Sequence, residues 1–472
     1  YLYGGYHRNF EAGEKAGYRR DFGMDAKIGV STAMNLDLTY NPDFAQVEVD
    51  QQVMNIDRFE LFYPEKRQFF LENSDLFANY GNEKLTPFFS RRIGLDAPVL
   101  GGARLSGKIN NTFRLGFINM TTEKTTEHAV RNYTVLSLQK KVLARSNISF
   151  MLVNKEYINK TDGISRYNRV AALDFNLASK NNEWIGKAFY HRSFQPGNPD
   201  RQYAQGTSVR YSKGNILVSL DQAAVGENYL AETGYVRRSN YISLNPELAY
   251  FFIPRKRITI HGPYVKFRHY TTHALEKLDH ELDAGYKVEF SDRSVFAAGL
   301  RNYYIRLVQD FDPTHVSSTF LPAGNKYNYS DVYTTFTSNN RKPFNGIVTF
   351  AKGGFFNGNY DMIDTKMVYR FQPYLNFSMN VTYTSLRLPQ PFTHHRFWLV
   401  GPKLDITFTD KLFLTTFMQY NEQRNNTNMN IRFQWRYKPV SDLFIVYTDN
   451  YFANTHEVRN RALVLKLTYW WN

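Results

Sequence analysis

Strict alternation of apolar and polar side chains, repeated along most of the chain, constrains the fold more than any other feature. Successive side chains of a strand point to opposite faces. From Asn428 to Lys438, one face is Met429, Ile431, Phe433, Trp435 and Tyr437, and the other is Asn428, Asn430, Arg432, Gln434, Arg436 and Lys438. From Leu375 to Thr384, Leu375, Phe377, Met379, Val381 and Tyr383 oppose Asn376, Ser378, Asn380, Thr382 and Thr384. Leu282, Ala284, Tyr286, Val288 and Phe290 oppose Glu281, Asp283, Gly285, Lys287 and Glu289, and the last strand sets Leu463, Leu465, Leu467, Tyr469 and Trp471 against Val464, Lys466 and Thr468.

A soluble antiparallel protein with one dry and one wet face would also alternate. Here there are too many such strands for one sandwich core. The apolar faces also end in aromatics (Tyr383, Tyr437, Trp471), as residues at a lipid headgroup boundary do. Composition agrees. The 472 residues hold 34 Tyr and 38 Phe, yet mean hydropathy is only −0.49. No run approaches the ~20 apolar residues that a membrane helix needs, which excludes a helical transporter. There is no cysteine, which excludes a disulfide-stapled domain. The chain starts at Tyr1 without a signal peptide, the expectation for a mature or trimmed chain whose compartment must be read from the strand pattern. The fold expected is all-β, a transmembrane antiparallel barrel occupying 1–472 as a single unit.

Candidate strands lie near 1–8, 24–32, 34–41, 98–107, 112–120, 129–141, 146–156, 167–178 and 183–192. They continue near 203–212, 215–222, 240–251, 256–270, 280–290, 295–307, 343–352, 360–371, 374–386 and 397–409, and end near 411–421, 428–438, 442–451 and 461–471. Bacterial barrels close with even numbers, so these segments predict about 22 strands, within 18 to 24. Asn110-Asn111, Ser291-Asp292-Arg293, Thr409-Asp410 and Lys438-Pro439-Val440-Ser441 read as hairpin turns. The longer connections 193–202, 308–342 and 387–396 fit the outer side of such a barrel.

Residues 42–96 break the rhythm. They hold ten acidic and six basic residues, a net −4 in a chain of +15, which leaves +19 for the remainder. Phe59, Phe62, Phe69, Phe70, Phe77, Phe88 and Phe89 make the segment too apolar for a disordered loop. Loops of this length in compact folds are usually functional, and wide barrels are commonly plugged. The expectation is a folded acidic, Phe-rich insert in the lumen, held by charge complementarity with inward Lys and Arg. The contacts expected are Asp43, Glu48, Asp50, Glu65, Lys66, Arg67, Glu72, Asp75, Arg91 and Arg92 on the insert, and Lys366, Arg370, Arg432 and Arg436 on the wall.

Three stretches carry a family resemblance. They are Tyr40-Asn41-Pro42-Asp43-Phe44-Ala45-Gln46-Val47-Glu48-Val49-Asp50, then Phe59-Glu60-Leu61-Phe62-Tyr63-Pro64-Glu65-Lys66-Arg67-Gln68-Phe69-Phe70-Leu71-Glu72-Asn73-Ser74-Asp75, then Phe89-Ser90-Arg91-Arg92-Ile93-Gly94. A further match is Glu232-Thr233-Gly234-Tyr235-Val236-Arg237-Arg238-Ser239-Asn240-Tyr241. Together they resemble a Bacteroidota family of outer-membrane barrels described as a domain of unknown function, often found after a carbohydrate-binding module of the family-nine type. The resemblance covers essentially the whole chain. It implies a barrel in the outer membrane of a Gram-negative bacterium, and no established reaction.

Chemistry-bearing motifs are sparse. No His-Glu-x-x-His or calcium-loop spacing is present. Asp310, Asp312 and His315 could hold a cation, but a solvated acidic loop is the commoner arrangement because calcium needs many oxygens. His394-His395 stand near a strand start without a legible nucleophile or orienting group. No enzyme activity and no cofactor are expected. The inward basic set is Lys266, Arg268, Lys287, Lys366, Arg370, Lys403, Arg432, Arg436 and Lys466. It reads either as an anion-favouring lumen or as partners of the acidic insert and of Asp283, Glu289, Asp364 and Asp405. The positive charge is spread along strands rather than patched, which sets nucleic acid aside. Two functions remain open: a plugged channel or gated transporter, and a non-enzymatic scaffold in a larger outer-membrane complex. The partners expected are lipid, lipopolysaccharide and other outer-membrane proteins or lipoproteins.

Overall fold

The alternation is realised as one antiparallel sheet of 25 strands, with a separate two-stranded ladder beside it. The computed structural model describes residues 1–42, 50–126, 128–158, 166–254, 256–392 and 394–471. The wall opens with β1 (Leu2–Asn9), β2 (Gly17–Phe22), β3 (Met24–Ser31) and β4 (Met34–Tyr40). The insert follows, carrying the short helices α1 (Gln68–Leu71) and α2 (Asp75–Ala78) and β5 (Leu85–Thr86). Then come β6 (Val99–Lys108), β7 (Phe113–Thr122), β8 (Arg131–Val142), β9 (Ser146–Tyr157), β10 (Tyr167–Ala178), β11 (Trp184–Phe194), β12 (Tyr203–Lys213) and β13 (Ile216–Val225). After β14 (Tyr235–Val236) the wall resumes with β15 (Tyr241–Tyr250), β16 (Ile258–Thr271), β17 (Lys277–Phe290), β18 (Val295–Arg306), β19 (Lys326–Thr337) and β20 (Phe344–Phe355). It ends with β21 (Gly358–Phe371), β22 (Leu375–Arg387), β23 (His394–Thr407), β24 (Leu412–Asn421), β25 (Asn426–Lys438), β26 (Ser441–Tyr451) and β27 (Val458–Leu467).

The ring joins its ends through β1, which pairs with β27 on one side and β2 on the other. Only Gly23 separates β2 from β3, and it exchanges hydrogen bonds with Tyr1 (2.6 and 3.1 Å). The two therefore run as one stave, paired to β1 along its first half and to β4 along its second. Counted so, the wall has 24 staves, an even number, and is closed except beside β3. The expectation of about 22 strands was low for a local reason. β2 carries Arg19, Arg20 and Asp21 in succession, which hides it. β19 lies inside the stretch 308–342 read as one long loop, which is in fact the connection 307–325 followed by a strand.

Leu2 of β1 pairs with Leu467 of β27 at the end of the barrel that holds the short turns. The connections at the other end are longer: 123–130, 195–202, 226–240 and 307–325. The insert leaves β4 and returns to β6 at this long-loop end. Neighbouring staves β4 and β6 pair directly (Leu36↔Leu105, Thr39↔Gly102), so the insert is tethered at both ends to one seam.

The two faces of the wall differ around the ring. In one row, Ile118, Val135, Val153 and Val170 stand in register on the inward face of β7 to β10, all fully buried. The adjacent row points outward and is apolar too: Phe117, Leu136, Leu152 and Ala171. On the opposite arc the inward face is mainly polar, with Ser378, Asn380, Lys403, Asn430 and Thr448 facing the interior. Among the described residues no helix is long and apolar enough to cross a membrane.

Candidate functional site

The insert is where chain and wall meet most extensively. Phe70, Leu76, Phe77, Tyr80, Leu85, Phe88 and Ile93 of the insert form one buried cluster with Ile118, Met120, Val135, Met151, Val153, Val170 and Phe189 of the wall. Each fully buried Leu, Ile or Phe contributes about 1.5–3 kcal/mol relative to exposure. Gly116 makes room for the deepest contact, since a Cβ there would lie 2.6 Å from the Phe77 ring. Several polar groups inside the cluster are paired. Ser137 donates to the Leu76 carbonyl (2.6 Å), Tyr80 donates to the Phe150 carbonyl (3.0 Å), and the Gly81 N–H donates to Asp174 (2.8 Å). Burial pushes the Tyr80 hydroxyl up to about 12, so it stays a neutral donor.

Ion pairs ring this core. Glu72 receives Lys27 and Arg104, and Asn35 completes its shell. Arg104 is fully buried, pairs with Asp37 (2.8 Å) and donates to the Phe69 and Glu72 carbonyls. Asp75 pairs with Arg114 (2.6 Å). Other expected contacts fall within the insert itself. Asp50 binds Arg91 and Lys66, while Glu65 binds Arg67 (2.7 Å) and Ser90 (2.6 Å). Arg67 also donates to the Ser90 and Ile93 carbonyls, and Arg92 bridges Glu60 (2.9 Å) and the Gly234 carbonyl (3.2 Å). Asp43 and Glu48 lie outside the described residues. On the wall, Arg432 donates to Thr415 (3.3 Å) and lines a second cavity of about 360 Å³ with Asp50 and Lys66. Arg370 caps the Asn340 and Lys342 carbonyls and Arg436 pairs with Asp442 (3.3 Å), both at the short-turn end away from the insert. Lys366 makes no ion pair among the described residues.

Charge alone therefore does not hold the insert, contrary to expectation. The inward apolar rows of β7 to β11 supply the larger contact. Sequence alternation concealed them because those strands are apolar on both faces. The carboxylates still matter at low pH. The hydrogen bond from Lys27 outweighs burial at Glu72 and holds it below its ordinary value. Burial opposes ionisation of Glu65 and Asp50, but Arg67 with Ser90, and Arg91 with Lys66, more than offset it, so both are also depressed. Depressed carboxylates stabilise the folded insert above their ordinary range of about 4 and lose that contribution as pH falls through their lowered values. The expected result is that the insert stays seated from pH 8 to 5 and loosens below about pH 4. Raising salt at neutral pH should leave it seated. Bilayer conductance against pH and against sodium chloride reads both; release by salt at pH 7 would restore the charge-held picture.

The motif segments converge in space. β5 pairs with β14 (Leu85↔Val236, Thr86↔Tyr235), and the Phe89 N–H donates to the Thr233 carbonyl (2.7 Å). Phe62, Phe89 and Tyr235 pack ring to ring, with centroids 4.8 to 6.3 Å apart. Lys155 of β9 holds Glu232 (2.5 Å). The loop 307–325 joins them. Met54 and Ile56 pack on a second buried cluster that includes Leu307, Phe311 and Leu321. His315 Nε2 lies 2.9 Å from the Asp57 carbonyl. Asp312 accepts from the Thr314 and Ser317 N–H groups (2.8 and 2.7 Å), and Asp310 accepts from Ala323. These acids thus serve turns of their own loop. His394 sits 2.9 Å from Ser385 Oγ near the same rim.

The model of the family described as a domain of unknown function, DUF5916, matches residues 2–103 and 98–395. The chain belongs to that family. No curated protein sequence matches it. Among solved structures it is similar to the siderophore receptor PirA from Pseudomonas aeruginosa, at 8% identity and TM-score 0.50, over 78% of this chain and 76% of that one. PirA from Acinetobacter baumannii aligns over 99% and 80% at 7% identity and TM-score 0.47. A ferric enterobactin receptor mutant from Pseudomonas aeruginosa aligns over 98% and 80% at 10% identity and TM-score 0.43. At 8% identity the first likeness speaks for the fold alone, a large antiparallel β-barrel.

Proposed function

We propose that this chain is a plugged, transporter-like barrel of the Gram-negative outer membrane, with residues 42–96 as its plug. The observation that carries the reading is the ring-wide reach of one insert. Its residues contact β3, β6, β7 and β8 through Glu72, Asn73, Asp75 and Tyr80, β16 through Lys84, and β22 and β24 through Gln51 and Gln52. A segment that touches staves on all sides of a ring must cross its interior. The outward face supports the membrane: Phe150, Leu152, Leu173, Val218, Leu220 and Ile363 are exposed large apolar side chains, far more than a water-facing wall would carry. Short turns would then face the periplasm, and the long loops the exterior. Lipid and lipopolysaccharide meet the outer face. A Bacteroidota source and a role beside carbohydrate-binding modules, implied by the motifs, form part of this proposal.

The register gives a direct test. Phe433→Lys should cost about 2–4 kcal/mol if its side chain meets the bilayer midplane. Arg432→Gln, which removes one hydrogen bond to Thr415, should cost about 1 kcal/mol or less. Urea titration of the barrel refolded into lipid vesicles measures both; equal losses would overturn the assignment of faces. A second reading, a scaffold subunit whose lumen never opens, is favoured by the double tether and apolar seat of the insert. Co-purification of stoichiometric outer-membrane proteins or lipoproteins after gentle extraction would support it.

A further inference from the structure

A cavity of about 520 Å³ opens where the insert, the motif loop and the inward faces of β15 to β21 meet at the long-loop end. Its volume falls in the range of small-ligand sites. Cations outnumber carboxylates in its lining. Arg301 pairs bidentately with Asp331 (2.8 and 2.9 Å), Arg268 with Glu281 (2.6 Å) and Arg237 with Asp57. Arg58 (2.8 Å) and Arg238 then share the single carboxylate of Asp279. Lys84 meets the Tyr270 hydroxyl (2.8 Å) in place of a carboxylate. Six cationic side chains thus surround four acids. Three buried atoms of the lining have no hydrogen-bond partner, the donors Arg58 Nη1 and Arg237 Nε and the acceptor Asp279 Oδ1, so two donors stand open against one acceptor.

Three of the cations also lie over aromatic rings. Arg58 and Arg237 lie over the Phe59 ring at 5.0 and 4.6 Å, and Arg238 lies over Tyr270 at 5.4 Å. Tyr303 and Tyr329 stack at 5.1 Å and form a ring-faced side of the same space. Guanidinium groups fixed on aromatic planes lose little freedom on binding and present fork-like donors suited to oxyanions. Tyr faces complement the flat side of a ring and their hydroxyls its polar edge.

We infer that this cavity is a binding site for a small, ring-bearing oxyanion, an acidic sugar or an aromatic carboxylate of one to three rings, entering from the long-loop side. The site rests on the proposed function only for its outward exposure; binding itself needs no open lumen. The test is calorimetric titration of the detergent-purified full chain with trigalacturonate, 2,3-dihydroxybenzoate and neutral maltotriose. At least one charged probe should bind, with maltotriose weaker by about tenfold or more, the value of one charge-assisted hydrogen bond. Arg238→Gln and, independently, Arg268→Gln should weaken that probe by a similar factor, while Arg436→Gln, at the far end, should not. The preferred probe tells sugar from aromatic acid. Absence of binding by both charged probes, equal binding of maltotriose, or equal weakening by Arg436→Gln would each overturn the site. Binding without any conductance on insert removal would retain the site and remove the transporter reading. Conductance without binding would do the reverse.

Discussion

Deleting residues 51–88 should turn an electrically silent barrel into one with a large, steady conductance. A ring of 24 staves encloses a lumen wide enough for an aqueous pore. In the intact chain the insert packs against the arc lined by β6 to β13, and Asp50, Lys66, Lys403 and Arg432 line a cavity of about 360 Å³ on the other side. The intact barrel should therefore pass little current in a planar bilayer. The deletion removes more acids than bases and strips Arg114 of Asp75 and Lys27 of Glu72. The opened pore should therefore favour anions mildly, read from the reversal potential across a salt gradient. Steady current in the intact chain would exclude the plug. A silent deletion variant that still assembles would mean that the 307–325 loop closes the lumen without the insert.

The direction of the tether affects how such a plug could ever move. It enters and leaves at the long-loop end between the adjacent staves β4 and β6. Movement requires the seat against β7 to β11 to part, or solute must pass beside it along the polar arc of β22 to β25. The motif loop 226–240 links insert and wall: through β14 and Tyr235 it holds the insert, and through Glu232 it is anchored to Lys155 of β9.

The antiparallel barrel was legible because it is written in local periodicity. A stretch of 55 residues without alternation, between strands that alternate, needs no partner to be noticed. β19 escaped because its aromatic face points inward. Tyr327, Tyr329 and Tyr333 look into the lumen and flank Asp331, while Asn328 and Ser330 point outward. Its alternation therefore runs against the expected sense. The seat of the insert escaped for the converse reason. Val135, Met151 and Val153 are inward residues on strands that are also apolar outside, and a strand apolar on both faces does not say which side is dry protein and which is lipid. Charge counting named Glu72 and Asp75, which stand against Lys27, Arg104 and Arg114 of the wall. It could not reveal that Arg370 and Arg436 sit at the far rim. The cavity at Arg58, Arg237 and Arg238 needs residues nearly two hundred positions apart, and no spacing rule brings those together.

Truncating the apolar anchors should release the insert, and neutralising its charged contacts should not. Leu76→Ala and Phe77→Ala each remove a side chain that is almost wholly buried. Such changes cost about 2–5 and 3–5 kcal/mol respectively, through lost transfer energy and the cavity left behind. Gly116 cannot move in to fill that cavity, since it carries no side chain and its strand is fixed between β6 and β8. Each 1.4 kcal/mol is a tenfold change in the docking equilibrium, so the double variant should raise the undocked fraction by several powers of ten. Glu72→Gln and Asp75→Asn act on pairs whose carboxylates are one-third or more exposed. Pairs of that kind are worth about 0–1 kcal/mol, and their loss should leave the barrel closed at neutral pH. Because the chain has no cysteine of its own, a single thiol placed at Ser137→Cys, a fully buried wall position beneath the insert, reports the outcome cleanly. Its reaction with a membrane-impermeant maleimide should be slow in the parent and in the charge variants, and fast once Leu76 and Phe77 are truncated. Fast labelling in Glu72→Gln with slow labelling in the anchor variant would return the weight to electrostatics and remove the apolar seat as the lock.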